Sequence, residues 1–233
     1  MKDLIKNIFK KYGYDLKEEQ VEAFSFYYNF LVEENQKYNL TAITEPEQVV
    51  IKHFIDSILP EKLIPQNASV IDVGTGAGFP GVPLRIIRPD IKLTLVDSLQ
   101  KRINFLNILI DKLSLKDVKT FHSRSEDFAL TNRENFDIAT SRAVASMPTL
   151  AEYLLPLVKV GGKAIMYKGE KIEEELKLGK KAITILGGEI SKTHEFYLDE
   201  AESKRFVLEI KKVKHTDKKY PRGKNLPKTK PIV

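Results

Sequence analysis

The sequence predicts an α/β fold, in which a mostly parallel seven-stranded sheet follows a helical cap and ends in an antiparallel pair of strands. Three observations predict it. A buried strand at Ser69–Val73 breaks into a glycine-rich turn that opens a helix, strand-like and helix-like runs then alternate, and a short polar segment joins the last two strand-like runs. With 233 residues, 42% of them hydrophobic and 30% charged, the chain can hold one full α/β domain and a modest extension.

The first 65 residues are predicted to form the helical cap, which leans on the sheet. Residues 3–12 carry apolar side chains on one helical face. Asp15 with Glu18 fits a capping box at the start of a second, longer helix. Thr44–Glu47 is a second capping signal with proline in the first turn, so a third helix is expected after it. We therefore predict residues 1–65 as the first domain.

Residues 66–213 are predicted to be the sheet domain, because strands and helices alternate along it. Its fifth strand is expected to follow a turn at Gly161–Gly162, and its last two strands are expected to pair antiparallel. The predicted strands after Ser69–Val73 are Lys92–Val96, Val118–His122, Phe136–Thr140, Lys163–Tyr167, Glu189–Leu198 and Arg205–Val213, and the predicted helices are 81–88, 100–113, 147–158 and 170–186.

The glycine-rich turn predicts a nucleotide-binding loop, since four glycines in eight residues indicate positive φ angles or close approach of a ligand. The spacing fits G-x-G-x-x-G from Gly76 and equally fits D-x-G-x-G-x-G from Asp72. Both patterns belong to proteins that place an adenosine ribose near the end of the next strand. Asp97 stands there, about twenty residues on, as ribose recognition requires.

The end of the chain discriminates between the two kinds of cofactor that these patterns bind, a dinucleotide and S-adenosyl-L-methionine. Dinucleotide-binding domains continue with another parallel unit and a substrate domain, whereas five alternating strands followed by an antiparallel pair are the outline of Rossmann-like, class I methyltransferases that use S-adenosyl-L-methionine. This step is an analogy at the level of the fold. It predicts that the following residues contact the cofactor: Gly74, Gly76 and Gly78 under its methionine part, Asp97 at the ribose, Ser125 and Glu126 at the adenine, Phe79 as a pocket wall, and Arg142 in the same crevice.

Residues that the chain lacks restrict which nucleobase atom could accept the methyl group. After the fourth strand, methyltransferases of adenine N6 and cytosine N4 carry Asn or Asp, two prolines and an aromatic residue, where this chain has Ser141–Val144. Methylation of a pyrimidine at C5 needs a cysteine nucleophile, and the chain has no cysteine. Guanine N7 presents a free lone pair and needs only positioning. We therefore predict no catalytic base, and no spacing among the four histidines predicts a metal site.

Positive charge is concentrated in residues 211–233, which hold nine lysines or arginines and one acid, while the whole chain has a net charge of +6. Residues 214–233 are therefore predicted to be a basic tail whose cations bind RNA phosphates and whose Tyr220 stacks on a base. No stretch approaches the length of a membrane span, and no signal-peptide core precedes the first helix, so a cytoplasmic protein without a membrane partner is expected.

Several separate motifs, in order, resemble those of the RsmG (GidB) family of bacterial 16S rRNA guanine-N7 methyltransferases. The resemblance implies methylation of a guanosine in the 16S rRNA loop near the decoding site, within the small ribosomal subunit or its precursor. We also expect the protein to be a monomer. The resemblance also implies cofactor contacts at Gly74, Phe79, Ser125, Glu126 and Arg142, and RNA contacts at His53, Lys168, Tyr220 and Arg222. The motifs are Asn39–Thr41, His53–Ser57, Asp72–Gly81, Val96–Ser98, Lys101–Arg102, Ser141–Ala143, Lys168–Gly169 and Tyr220–Arg222.

Two departures and two alternatives accompany this interpretation. The family often has proline where Ala77 stands and leucine where Phe79 stands, which affects the shape of the pocket. An NAD-type oxidoreductase is the first alternative, although it needs a hydride-transfer acid or base that the sequence does not offer. A non-catalytic RNA-binding module with a vestigial cofactor fold is the second.

Overall fold

The computed structural model describes residues 1–142, 145–198 and 203–233. Ala143 and Val144, the last two residues of the Ser141–Val144 run, lie outside the described residues, as does the polar segment at 199–202. Within the described ranges, no helix is long and apolar enough to cross a membrane.

Seven strands form one sheet, as the alternation of runs predicts. They are β1 Ser69–Val73, β2 Lys92–Asp97, β3 Val118–His122, β4 Phe136–Arg142, β5 Val158–Lys168, β6 Gly188–Leu198 and β7 Ser203–Lys212. Their order is β3-β2-β1-β4-β5-β7-β6, in which β7 runs antiparallel to β5 and β6 and the other pairs are parallel. The antiparallel C-terminal pair is thereby confirmed.

Helices cover both faces of the sheet. They are α1 Lys2–Lys11, α2 Glu18–Tyr38, α3 (three consecutive segments, Pro46–Val49, Val50–Ile55 and Asp56–Ile58), α4 Gly81–Ile87, α5 Gln100–Lys112, α6 Ser125–Thr131, α7 Met147–Leu154, α8 Ile172–Ile185 and α9 Leu226–Thr229. Helices α1 to α5 share one hydrophobic cluster with one face of the sheet, and α6 to α8 share a second cluster with the other face. The two clusters form because successive strand residues point to opposite faces.

The helical cap packs directly on the glycine-rich turn. The Tyr27 ring lies 5.4 Å from that of Phe79, which belongs to the turn, and the Tyr27 hydroxyl donates to the carbonyl of Ala77 at 2.5 Å. The predicted capping box at Asp15 is wrong. Helix α2 begins at Glu18 with Lys17 as its N-cap, and the side chain of Gln20 accepts a hydrogen bond from the backbone N–H of Lys17. The cap and the loop therefore share one interface.

The middle segment of α3, Val50–Ile55, is a π-helix. A π-turn inserts one residue into a helix and turns carbonyl groups away from the helical hydrogen-bond ladder. Here the carbonyl of Lys52 accepts from Nη1 of Arg142 at 3.1 Å. The sequence predicted a regular helix at this place, because the apolar spacing alone does not reveal an inserted residue.

The predicted turn at Gly161–Gly162 is wrong, since β5 already begins at Val158 and runs through both glycines. Phe136 pairs with Val158 and Ile138 pairs with Lys163, so the strand bulges between the two pairs. Gly162 lies in the bulge, and a Cβ there would approach the carbonyl oxygen of Asp137 to 2.6 Å. The glycine therefore permits close contact between two strands.

Residues 214–233, here called the C-terminal segment, pack against α7 and the preceding loops. Glu152 of α7 is fully buried and accepts hydrogen bonds from the backbone N–H of Arg222 at 2.7 Å and from its guanidinium at 2.6–3.2 Å. Thr149 donates to the carbonyl of Pro227 at 2.8 Å. Arg133 donates to carbonyls of the segment as well. These contacts fix the path of the segment over the sheet domain.

Candidate functional site

A first cavity, of about 440 Å³, opens at the carboxyl ends of the parallel strands, where open α/β sheets bind ligands. Its lining comes from the last residues of β1 and β2 and the residues that follow β1, β2 and β3, together with Ala145, α7 and the C-terminal segment. The lining residues are Val73, Gly74, Val96, Asp97, Ser98, Leu99, Ser123, Arg124, Ser125, Glu126, Ala145, Tyr153, Asn225 and Lys228. The cavity therefore includes four of the predicted cofactor residues: Gly74, Asp97, Ser125 and Glu126.

The glycine-rich turn is held from below by Asp72, whose carboxylate is fully buried. Its Oδ2 accepts from the Thr75 hydroxyl at 2.7 Å and from the backbone N–H of Gly81 at 2.9 Å. Burial raises the pKa of Asp72 to about 6, although these two hydrogen bonds oppose the shift. Asp72 thus shapes the loop and does not line the cavity.

Two glycines of the turn serve different purposes. A Cβ on Gly78 would lie 2.7 Å from the Tyr27 hydroxyl, so only a residue without a side chain allows the cap to pack here. Gly76 has a φ of +62°, and a Cβ there would meet no atom within 4 Å. Gly76 therefore leaves room beside the turn, as close approach of a ligand requires.

Asp97 joins the turn to the end of β2. Its Oδ2 accepts from the N–H of Gly76 at 2.9 Å and from Arg102 at 3.1 Å, and its Oδ1 accepts from the N–H of Leu99 at 2.9 Å. The residue is only 2% exposed, yet it lines the first cavity. Oδ1 also accepts from Arg102 at 3.5 Å, the limit of a hydrogen bond, so a hydroxyl donor from the cavity would take the place of this long contact.

Ser125 and Glu126 contribute to this cavity from the chain that follows β3, well beyond the glycine-rich turn in the sequence. The Ser125 hydroxyl donates to the carbonyl of Tyr153 at 3.2 Å, and Glu126 is buried. The proton of the Ser125 hydroxyl is thereby used within the protein, whereas its oxygen can still accept a hydrogen bond from a ligand.

Four further residues that were predicted to contact the cofactor are not among those that line the first cavity: Gly76, Gly78, Phe79 and Arg142. Their contact with the cofactor stays a prediction. The Phe79 ring is stacked on His53, with centroids 4.6 Å apart, and the guanidinium of Arg142 lies 5.0 Å from its centroid. Arg142 turns to Asp56, where Nη1 donates to Oδ2 at 2.8 Å. Arg142 does not reach the first cavity because this buried ion pair holds its side chain. The carboxylate of the pair comes from the cap, so it could not be located from the sequence of the strand alone.

A second cavity, of about 640 Å³, lies between the cap and the sheet, and Ala145 lines both cavities. Stretches of chain that are far apart in the sequence build it. Its lining residues are Ile43, Lys52, His53, Asp56, Arg142, Ala145, Tyr167, Lys168, Gly169, Glu175, Arg205 and Phe206. Among the predicted residues it therefore holds His53, Lys168 and Arg142.

His53 is held as a neutral imidazole in the second cavity. Its Nδ1 lies 3.2 Å from Nη2 of Arg142, which can only donate, and its Nε2 lies 2.8 Å from the hydroxyl of Thr41. The tautomer with the proton on Nε2 satisfies both contacts. Burial, and then the charge of Arg142, lower the pKa of His53 to about 4.

Asp56 is the buried carboxylate of the second cavity, with 6% exposure. Its Oδ2 is held by Arg142, whereas its Oδ1 makes no hydrogen bond within the described part of the chain. Nε of Arg205 approaches Oδ1 to 3.4 Å as an ion pair. Burial raises the pKa of Asp56, and the charges of Arg142 and Arg205 oppose that shift.

Three residues predicted to face RNA are engaged inside the protein. The side chain of Lys168 is 6% exposed and donates to the carbonyl of Ala145 at 3.1 Å and to Glu175 at 2.5 Å. Arg222 is bound to Glu152, and Tyr220 packs against the second hydrophobic cluster. RNA contact by these side chains stays a prediction, while their observed contacts are structural.

Sequence reasoning missed Asn225 and Lys228, which line the first cavity from the C-terminal segment. Composition marked this segment as basic, but no local pattern indicated that it returns to the strand ends. Asp56 was also missed, because an acid three residues from His53 on a helix indicates an ordinary surface contact. Within the described ranges, no group of three or more His, Cys, Asp or Glu side chains could hold a metal ion.

The family comparison agrees with this site. A family model described as rRNA small subunit methyltransferase G matches residues 20–205, a range that spans the glycine-rich turn and two acidic residues of the cavities, Asp56 and Asp97. The ribosomal RNA small subunit methyltransferase G of Desulforamulus reducens is 48% identical over 233 residues, covering 98% of this chain and 97% of the relative. The protein of that name from Oceanobacillus iheyensis is 49% identical over 227 residues, covering 96% and 95%.

Solved structures agree on the fold. A SAM dependent methyltransferase from Aquifex aeolicus superposes with a TM-score of 0.56 at 18% identity, covering 78% of this chain and 98% of that one. A precorrin-6y C5,15-methyltransferase from Geobacter metallireducens gives a TM-score of 0.54 at 10% identity, covering 77% and 96%. At these identities the likeness concerns the fold, which is the Rossmann-like, class I methyltransferase fold predicted from the sequence.

Proposed function

Because the chain belongs to the rRNA small subunit methyltransferase G family, we propose that it methylates N7 of a guanosine in the 16S rRNA loop near the decoding site, with S-adenosyl-L-methionine as the methyl donor. The substrate would be the small ribosomal subunit or its precursor. The observation that carries this proposal is the pair of cavities that meet at Ala145, one beside the glycine-rich turn and one under the cap.

The first cavity suits S-adenosyl-L-methionine. The open space beside Gly76 would admit the methionine part near Gly74, and a ribose hydroxyl would replace the long contact of Arg102 at Oδ1 of Asp97. Ser125 and Glu126 would border the adenine, and Asn225 with Lys228 would close the cavity. Gly78 and Phe79 would act through the shape of the turn, since their neighbours are Tyr27 and His53.

Catalysis by this arrangement is positioning. When held beside Gly74 and Asp97, S-adenosyl-L-methionine would supply a methyl group activated by its positively charged sulfur, for transfer to the lone pair of N7. Guanine N7 carries no proton, so no side chain has to remove one. Holding the two reactants in adjoining cavities converts a bimolecular reaction into an intramolecular one, which is the largest effect available here.

RNA would approach the face on which the C-terminal segment lies. Its exposed cations (Lys214, Lys218, Lys219, Lys224, Lys228 and Lys230), together with Lys211 of β7, can meet phosphates. Lys52 and Arg205 line the second cavity and extend this positive surface to the cap. The segment is already folded against α7, so RNA binding would not have to order it.

We also propose that the protein acts in the cytoplasm as a monomer, and that its chain divides into a cap (1–65), a methyltransferase domain (66–213) and the basic tail (214–233). The cap and the domain share a hydrophobic cluster, so they would unfold together. A single calorimetric transition, together with the native mass of the protein in solution, tests these proposals.

The test of function is transfer of a labelled methyl group to small subunits from cells that lack the modification, followed by mapping of the methylated nucleotide. Gly76→Val should abolish the transfer, and the label should map to N7 of one guanosine. Binding of RNA without any transfer would instead support the RNA-binding module, and tight binding of NAD in the first cavity would support the oxidoreductase. Label on another atom would contradict the proposed acceptor.

A further inference from the structure

We propose that the second cavity is the binding site for the target guanine, turned out of the RNA, and that Oδ1 of Asp56 accepts hydrogen bonds from its N1–H and its N2 amino group. The proposal rests on the proposed function, since it presumes a guanosine acceptor. It assigns a role to a cavity and a carboxylate that the cofactor site leaves unused.

The first step is the position of the cavity. Ala145 lines both cavities, so a base in the second one lies next to a donor in the first. Enzymes that modify a base must take it out of its stack and enclose it in a pocket. A volume of about 640 Å³ is ample for a purine base.

The second step is the state of Asp56. A buried acceptor without a donor costs free energy, and such groups in native proteins call for an explanation. Oδ2 is satisfied by Arg142, but Oδ1 has no hydrogen bond within the described ranges, although Arg205 stands 3.4 Å away. Arg142 also fixes the carboxylate in its orientation. The structure thus presents one prepared acceptor to whatever enters the cavity.

The third step is the chemistry of the base. The Watson–Crick edge of guanine carries two adjacent donors, N1–H and the N2 amino group, whereas adenine has an acceptor at N1. A carboxylate therefore attracts guanine and repels adenine. With this edge on Asp56, N7 lies on the other edge of the base and is left for the methyl donor.

The fourth step is the surroundings of Asp56. Tyr167 and Phe206 line the cavity and offer aromatic surfaces to a base, and Lys52 offers a cation to its phosphates. Glu175 is the other carboxylate of the cavity, but its Oε2 is held by Lys168 at 2.5 Å. Glu175 therefore provides a matched control for Asp56.

The experiment compares guanosine with inosine at the target position. Inosine keeps N7, O6 and N1–H and lacks the N2 amino group. Small subunits are reconstituted with 16S rRNA that carries either base, introduced by ligation of a synthetic oligonucleotide, and kcat/KM for methyl transfer is measured. We expect the wild-type protein to prefer guanosine at least about tenfold, as the loss of one hydrogen bond to a charged group predicts.

The variant Asp56→Asn sharpens the test. The amide oxygen would face Arg142 and the amide nitrogen would face the base, so two donors would meet. We expect kcat/KM on guanosine to fall at least about 100-fold and the preference over inosine to shrink to about onefold, while the affinity for S-adenosyl-L-methionine is retained. Glu175→Gln should keep the preference.

The outcomes separate the two proposals. If the wild-type protein methylates both bases equally, or if Asp56→Asn lowers both rates while keeping their ratio, the assignment of Asp56 is overturned and the proposed function stands. If the preference is lost in Glu175→Gln instead, Glu175 and not Asp56 reads the base. If the wild-type protein methylates no small-subunit RNA, the proposed function fails and this inference fails with it. Equal rates on the two bases with the wild-type protein overturn the assignment even if Asp56→Asn does not fold.

Discussion

The two cavities of this protein are neighbours, but they are built in different ways. The first is lined mainly by residues at the ends of β1 and β2 and just after β1, β2 and β3, so short sequence motifs predict it. The second joins α3, the end of β4, the end of β5 and the start of β7, and its central contact links Asp56 to Arg142 across 86 positions of the chain. The first cavity is thus determined by local sequence, whereas the second exists only in the folded molecule.

The largest expected effect tests the local character of the first cavity. Gly76→Val should weaken binding of S-adenosyl-L-methionine at least ~1,000-fold, because a branched side chain at φ +62° both strains the turn and fills the space beside it. Isothermal titration calorimetry measures this affinity. Gly13→Val is the matched control, since Gly13 also has a positive φ and open surroundings, but it lies in the cap. Equal losses in both variants would mean that strain, and not ligand space, is responsible.

A second variant asks whether the first cavity also depends on a distant segment. Arg222→Gln leaves the fully buried Glu152 without its cation, so the free energy of unfolding should fall by about 3 kcal/mol. The affinity for S-adenosyl-L-methionine should fall about tenfold, because Asn225 and Lys228, which line the first cavity, would no longer be held in position. Chemical denaturation and calorimetry measure the two effects. Lys219→Gln, in an exposed pair, should change neither, and unchanged cofactor affinity in Arg222→Gln would restrict the cavity to the strand ends.

A third prediction concerns the second cavity and pH. The pKa of His53 is lowered from 6.5 to about 4 in the folded protein, so the unfolded chain binds the proton more readily between these values. The contribution of His53 to stability is therefore complete above pH 6.5 and is lost as the pH falls, by about 2 kcal/mol at pH 5.

Comparison with His53→Gln isolates this contribution, because Asp72, whose pKa is raised to about 6, contributes with the opposite sign to both proteins. We expect the wild-type protein to lose more stability than the variant between pH 6.5 and 5 in chemical denaturation. The ring protons of His53 in NMR should titrate near pH 4. Parallel stability curves, or titration near 6.5, would show that Arg142 and burial do not act on this imidazole.

The smallest expected effect concerns the C-terminal segment as an RNA surface. Lys218→Ala and Lys219→Ala should each reduce the slope of log K against log salt by up to about one, because each removes one phosphate contact. Affinity for S-adenosyl-L-methionine should stay unchanged, since neither residue lines the first cavity. Unaltered salt slopes in the double variant would place the RNA elsewhere on the protein.

The sequence was sufficient where local chemistry determines structure. The strand Val118–His122 was predicted with its observed bounds, and the turn at Gly74 and Gly76 followed from glycine spacing and Asp97 alone. The start of β5 was missed because Gly161–Gly162 has the composition of a turn, while its pairing with β4 decides that it is a bulge. Local propensity cannot express such pairing.

The candidate site follows the same rule. Asp97, Ser125 and the glycines of the turn could be placed at strand ends from the sequence. The direction of the Arg142 side chain could not, because it depends on the carboxylate of Asp56 in the cap. Lys168 carries the positive charge expected of an RNA-binding residue, but only the folded structure shows that it is buried against Glu175 and the carbonyl of Ala145. Charge and position along the chain do not reveal whether a cation is already neutralised.

The π-turn at Val50–Ile55 makes the protein sensitive to a kind of genetic change that substitutions do not sample. Removing one codon from this turn would restore a regular α-helix and rotate everything beyond it by about 100° relative to the residues before it. His53 and Asp56 would then swing away from Arg142 while every side chain type was preserved. Homologues that differ by an indel here would be expected to treat the acceptor differently, even when their glycine-rich turns are identical.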